Sequence, residues 1–139
     1  MAKDGKIERL RQAPLFSGCS DKALMALSSA IDGVDVSAGR TLIREGTRGH
    51  EAYLIEEGTA EVLIGDQVVA EIPAGELVGE ISLLLRDVST ATVRARTDLS
   101  VLVIPHNRFD QVAGEAPEIG MEMARELARR LKGADEKLH

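Results

Sequence analysis

The sequence predicts a mainly β fold with flanking helices, an antiparallel, jelly-roll-like β-roll with N-terminal helices and two C-terminal helices. Three observations carry this. Apolar residues recur at helical spacing at both ends of the chain, whereas the middle breaks into short β-like runs. Those runs are separated by Gly- and Pro-bearing turns at intervals of roughly 6–12 residues, which suits hairpins better than the long crossovers of βαβ units. The 139 residues, 44% hydrophobic, are enough for one domain with a core that needs no staples. A single domain over 1–139 follows, with helices over 6–32, the roll over 33–104 and C-terminal helices over 105–138.

Taken in order, residues 6–16 read as a short amphipathic helix carrying Ile7, Leu10 and Arg11, broken at Pro14. Ser20 is placed as an N-cap, and Ala23, Leu24, Leu27, Ala30 and Ile31 continue at helical spacing until Gly33 stops them. Seven strand-like runs follow: Val34–Val36, Thr41–Arg44, Ala52–Glu56, Ala60–Ile64, Val68–Ile72, Ala91–Arg96 and Leu99–Ile104. Between them stand Ala38-Gly39, Glu45-Gly46, Glu57-Gly58, Gly65-Asp66 and Pro73-Ala74-Gly75, where glycine supplies positive φ. After Pro105, residues 106–113 read as a short helix and Pro117 sits in the first turn of a longer one. On that helix Ile119, Met123, Leu127 and Leu131 form a stripe, and Glu126 faces Arg130 one turn on. A second line, Gly120, Ala124, Leu127, Leu131, Ala134 and Leu138, alternates steps of four and three like a coiled-coil seam. The helix over 117–138 either covers the roll or also pairs with its copy in a homodimer.

Composition removes several function classes. Seventeen basic against 23 acidic side chains give a net charge of −6, the wrong sign for non-specific nucleic-acid binding. The cations Arg125, Arg129, Arg130 and Lys132 are interrupted by Glu122, Glu126 and Asp135 and read as a solvated helix face. One cysteine, Cys19, allows no disulfide framework or Cys-based metal cluster, and reads as a small packed residue. No apolar stretch reaches the roughly 18 residues that span a bilayer, and the polar start is not a secretory signal, so the expected compartment is cytoplasmic. A metal-dependent β-roll enzyme would need clustered histidines, and His50, His106 and His139 have no partners at ligand spacing. The chain therefore reads as a non-enzyme with no required cofactor.

One segment, residues 75–93, breaks the strand pattern. Gly79 followed by Glu80-Ile81-Ser82-Leu83-Leu84 reads as a turn opening into a single helical turn, whose first N–H groups are unpaired. Glu80 stands at that start, where the helix dipole favours a carboxylate; on the residues alone the simpler reading is an ordinary acidic first-turn residue.

In these residues the chain resembles the cyclic nucleotide-binding domain family, found in catabolite-activator-like transcription factors, kinase regulatory subunits and gated channels. Leu10 to Ser20 (LRQAPLFSGCS) is similar to the family's opening helix and Pro-Leu-Phe turn. Ala38-Gly39, Arg44-Glu45-Gly46, Tyr53-Leu54-Ile55 and Glu57-Gly58 match its first strands in order and spacing, and Gly79-Glu80-Ile81-Ser82-Leu83-Leu84 with Thr90-Ala91-Thr92-Val93 is similar to its phosphate-binding cassette. The resemblance implies a sensor binding cAMP or cGMP in the cassette 78–92 (Val78, Gly79, Glu80, Ile81, Ser82, Ser89, Thr90, Ala91). Glu80 would accept the ribose 2′-hydroxyl, and backbone N–H groups at Ile81, Ser82, Thr90 and Ala91 would meet the cyclic phosphate. The signal would reach the long C-terminal helix through packing of Leu83, Leu84 and Leu85. The family's Pro-Arg pair is replaced by Val88 and Ser89 in an ungapped alignment; Arg86 and Arg94 are the candidate substitutes. The resemblance leaves open a weakened or altered ligand site, or a ligand-independent dimerisation or docking module.

Overall fold

The computed structural model describes residues 2–29 and 31–138, with side chains for 5–14, 16–29 and 31–133. Helix α1 (Ala2–Gln12) ends ahead of a 3-10 turn over Pro14–Phe16, starting earlier than residue 6 and stopping where the proline forces Ala13 into extended backbone. Helix α2 is Asp21–Ser28. The Ser20 hydroxyl caps it, accepting the Ala23 N–H at 3.2 Å while donating to Glu118 Oε1 at 2.9 Å.

The expected run of α2 to Ile31 needs correction. The hydroxyls of Ser28 and Ser29 each donate to the carbonyl three residues back, Met25 and Ala26 at 2.8 Å, serving acceptors that a continuing helix would use. Gly33 does not stop a helix; it lies inside strand β1 (Asp32–Val36), opposite Leu102. Ala30 lies outside the described residues.

The remaining strands are β2 (Thr41–Ile43), β3 (Glu51–Glu57), β4 (Ala60–Ile64), β5 (Gln67–Ile72), β6 (Leu77–Val78), β7 (Thr92–Ala95) and β8 (Leu99–Pro105). All seven expected runs are strands, their ends differing by one or two residues. The eighth, β6, was not foreseen: two residues carry no period, and β6 exists because Val78 and Leu77 pair with Tyr53 and Leu54. Gly39, Gly46, Gly58, Gly65 and Gly75 all have positive φ, as the turns require. Helix α3 (Glu80–Leu84) lies between β6 and β7, and α4 (His106–Glu115) and α5 (Glu118–Leu138) follow β8.

Two four-stranded antiparallel sheets, ordered β1-β8-β3-β6 and β2-β7-β4-β5, face each other. Alternation along β8 divides its side chains between two cores. Leu99 and Val101 point between the sheets with Val36, Ile55, Ala60, Val78, Val93 and Ala95. Leu102 and Ile104 point the other way, into a helix-facing core with Leu10, Phe16, Leu24, Leu27, Phe109, Ile119 and Met123. Strand β3 is likewise shared, Ile55 serving one side and Ala52 and Leu54 the other. Burial on both faces explains why β3 and β8 read as continuous apolar runs.

Cys19 packs in the helix-facing core, and burial, with Glu122 and Glu118 adding, pushes its thiol up to about 11. On α5, Ile119 and Met123 are fully buried and Leu127 is half-buried, but Leu131 is 73% exposed. The side chains of Ala134 and Leu138, the end of the expected seam, lie outside the described residues. Among the described residues no helix is long and apolar enough to cross a membrane.

Candidate functional site

The segment after β6 turns sharply because Gly79 adopts φ +78° and ψ 9°, the left-handed conformation. Space also demands glycine here: a Cβ would come within 3.1 Å of Ile43 Cδ1 and 3.4 Å of both Ala52 Cα and the Glu51 carbonyl. This turn lays α3 against β3 and sets Glu80 at the wall of the cassette cavity, within reach of Arg130 on α5. The Ser82 hydroxyl donates to the Gly79 carbonyl and also lies 3.0 Å from His106 Nε2, tying α3 to the start of α4. Of the three leucines expected to couple cassette to helices, only Leu83 is buried; Leu84 is exposed on the outer side of the five-residue helix, and Leu85 is exposed in the extended backbone that follows it.

The far end of the cassette is pinned by its backbone. The Ser89 N–H donates to the Thr47 carbonyl at 2.9 Å, and the Ser89 carbonyl accepts from the Gly46 N–H at 2.8 Å. The Ser89 side chain folds onto Ala91, donating to its carbonyl at 2.5 Å and accepting its N–H at 3.3 Å.

Between the two ends lies a cavity of about 370 Å³. Gly79, Glu80, Ile81, Ser82, Ser89, Thr90 and Ala91 all line it. Val78 lies just outside, buried in the roll and lining the adjoining trough that also exposes Glu80 and Thr90. Arg86 is not brought in. Its guanidinium donates to the Ser82 carbonyl at 2.6 Å and to the His106 carbonyl at 3.3 Å, and pairs with Asp110 on α4. Arg94 points toward β4, where its Nε and Nη2 donate to Glu61 Oε1 at 2.9 and 2.6 Å.

Sequence reasoning missed three carriers of charge at this site. Glu51, at the start of β3, and Asp87, in the cassette itself, both line the cavity. Arg130 is the third. The expected solvated basic face holds for Arg125 and Arg129, exposed and paired with Glu122 and Glu126. Arg130 instead turns inward, its Nη1 3.3 Å from Glu80 Oε1 and its Nη2 3.7 Å from Glu76 Oε2. Only its spacing from Glu126, 3.9 Å away here, was visible in one dimension. Across 50 positions no local signal links it to Glu80.

Burial, more than any neighbour, raises the Glu80 carboxyl above the ordinary carboxylate range, with Arg130 and the backbone partly offsetting it. A folded-state pKa above the unfolded one means that stability is lost as pH rises through it. Glu80→Gln is therefore expected to melt higher than the wild type at pH 7.5, with the gap closing toward pH 4; thermal melts across that range measure it. A lower melting temperature at neutral pH would show that the Arg130 pair outweighs burial.

The fold and cassette have counterparts. The sequence profile described as "Cyclic nucleotide-binding domain" matches residues 34–115, more than half of the chain. The chain belongs to the cyclic nucleotide-binding domain family. Among its relatives, the cAMP-dependent protein kinase regulatory subunit of Schizosaccharomyces pombe is 32% identical over 111 residues, 79% of this chain and 27% of that protein. A cyclic nucleotide-gated potassium channel of Rhizobium etli is 33% identical over 124 residues, 89% of this chain and 34% of that protein. The cyclic nucleotide-binding domain thus spans a minor part of the length of these relatives. Among solved structures, the N-terminal domain of a Streptomyces coelicolor transcriptional regulator aligns with a TM-score of 0.77 at 29% identity, covering 94% of this chain and 95% of that one. The catabolite activator protein of Thermus thermophilus aligns at 0.75 and 29%, covering 90% and 61%. In this cyclic nucleotide-binding domain the profile match takes in the whole cassette, from Gly79 through Ala91.

Proposed function

We propose that this domain is a cytoplasmic regulatory sensor: a cyclic nucleotide, cAMP or cGMP, seats in the cassette 78–92 and is signalled through α5. The observation that carries the reading is Glu80. Its carboxylate lines the cavity and is held by Arg130 from α5, 50 residues away. A ribose hydroxyl donated to Glu80 competes with that arginine, so occupancy of the cavity and placement of α5 become one equilibrium. A ligand shifts such an equilibrium only through contacts that differ between its states, and this is such a contact.

The affinity is proposed to be weak. Val88 and Ser89 stand where the family resemblance calls for a proline and an arginine, and neither candidate substitute faces the cavity: Arg86 pairs with Asp110 and Arg94 with Glu61. Titration calorimetry of the chain with each nucleotide to millimolar concentration is expected to show at best micromolar binding. Nanomolar curves overturn the weak-site reading; no heat, together with no change in the amide resonances of 79–91, overturns the sensor reading.

A second reading, a ligand-independent dimerisation or docking module, is favoured by the exposed Met121 and Leu131 on α5. A homodimer through 117–138 is what the dimerisation form of this second reading requires, and the sensor reading is compatible with it. Light scattering is expected to report a dimer that Leu131→Asp converts to monomer; a monomeric wild type at high concentration removes this part of the proposal.

A further inference from the structure

Resting on the reading of the cassette cavity as the ligand site, we propose that this cavity prefers an uncharged ribonucleoside to the corresponding 3′,5′-cyclic phosphate.

Charge is the first ground. Three carboxylates, Glu51, Glu80 and Asp87, line the cavity, and no lysine or arginine does among the described residues. The cation nearest to Glu80 is Arg130, already shared among Glu80, Glu76 and Glu126. Arg130 lines the adjoining trough and not this cavity, so the cavity's own wall meets an anionic ligand with carboxylates alone, at a site where burial already disfavours the charge on Glu80.

The second ground is the donors left to hold an anion. Four backbone N–H groups stand at the two ends of the cassette, at Ile81, Ser82, Thr90 and Ala91. Two are satisfied within the protein: Ser82 donates to the Gly79 carbonyl at 3.1 Å, and Ala91 to the Ser89 hydroxyl at 3.3 Å. Ser89 makes both its donor and its acceptor contact to Ala91, so a phosphate must displace an existing pair of bonds to reach that amide.

Hydroxyl groups fit the same surface. Ionised carboxylates only accept hydrogen bonds, each at several lone-pair positions. Glu51 accepts from the Tyr53 hydroxyl at 3.2 Å, Glu80 from Arg130 at 3.3 Å and Asp87 from the Val88 N–H at 2.8 Å, which leaves each with further acceptor capacity for a ligand hydroxyl. A free ribonucleoside offers 2′-, 3′- and 5′-hydroxyls, whereas closing the 3′,5′-cyclic phosphate consumes two of them and adds a negative charge. The cavity's volume of about 370 Å³ lies within the roughly 300–1,000 Å³ range of small-molecule sites.

The experiment is a titration of the full chain, by calorimetry and amide chemical shift, with adenosine, guanosine, cAMP, cGMP and 2′-deoxyadenosine at two salt concentrations. The expected result is that one ribonucleoside binds at least tenfold tighter than its cyclic phosphate and that 2′-deoxyadenosine loses at least tenfold against adenosine. Added salt should improve cyclic-phosphate binding by screening the carboxylates, while leaving the nucleoside unchanged. Cyclic phosphates binding more tightly than the nucleosides overturns this inference and leaves the sensor reading standing. If none of the five shifts the amides of 79–91, the ligand site itself is refuted, and this inference with it.

Discussion

Gly58→Ala is expected to lower the stability of the domain by about 2–5 kcal/mol, the sum of an αL penalty and overpacking into fixed backbone. Gly58 joins β3 to β4 at φ +91°, and an added Cβ would lie 2.2 Å from the Asp98 carbonyl and 2.8 Å from both Leu99 Cδ2 and Thr97 Oγ1. The opposing loop cannot withdraw freely. Thr59 accepts the N–H groups of Arg96 and Thr97 at 3.0 and 3.2 Å, and its own N–H donates to Thr97 Oγ1 at 3.0 Å. Relief at residue 58 therefore breaks those bonds or shifts Leu99, which is buried between the sheets. Against a total stability of about 5–15 kcal/mol this is a large share. In urea the midpoint should fall by about 2 M, taking a slope of about 2 kcal/mol/M. Gly39→Ala is the control: φ there is +90°, but the added Cβ meets nothing within 4 Å, so only the conformational cost remains. Equal losses in the two variants would refute the close-approach argument.

Ser89→Arg is expected to tighten cAMP or cGMP binding by about 30-fold to several thousand-fold. Supplying one missing partner of a largely desolvated charge pair changes affinity by about 2–5 kcal/mol. Position 89 is suited to the test because its backbone is held by Thr47 and Gly46, so the new side chain starts from an anchored point. The substitution acts twice. It places a guanidinium, able to make bidentate bonds, among Glu51, Glu80 and Asp87, and it removes the hydroxyl that occupies the Ala91 N–H. Calorimetry of wild type and variant side by side measures the change. No change, or a loss, would mean that the cavity cannot accept a cyclic phosphate for reasons beyond charge.

Much of this architecture was legible in one dimension. Short β-like runs bounded by turn residues marked seven of the eight strands, since strand-forming composition and positive-φ turns are local properties. The turn at Gly79 into a short helix was legible too, because such a turn has a local signature; that it opens a cassette was what the family resemblance implied. Other features were not. β6 is a strand only through its pairing with Tyr53 and Leu54, and the end of α2 was decided by two serine hydroxyls and by the pairing of Gly33 with Leu102.

The sequence by itself determined a β-roll between helices and the conformation of its turns, and its family resemblance pointed to residues 79–82 and 89–91 as the two ends of a cassette. It could not determine which charges surround that cassette. Only the tertiary structure committed Arg86 to Asp110 and Arg94 to Glu61, brought Arg130 to Glu80, and set Glu51 and Asp87 around a cavity without a lining cation among the described residues. The physical reason is range. Backbone conformation and hydrophobic period act over a few neighbouring residues, whereas Coulombic pairing depends on distances in space between groups 24 to 50 positions apart in the chain.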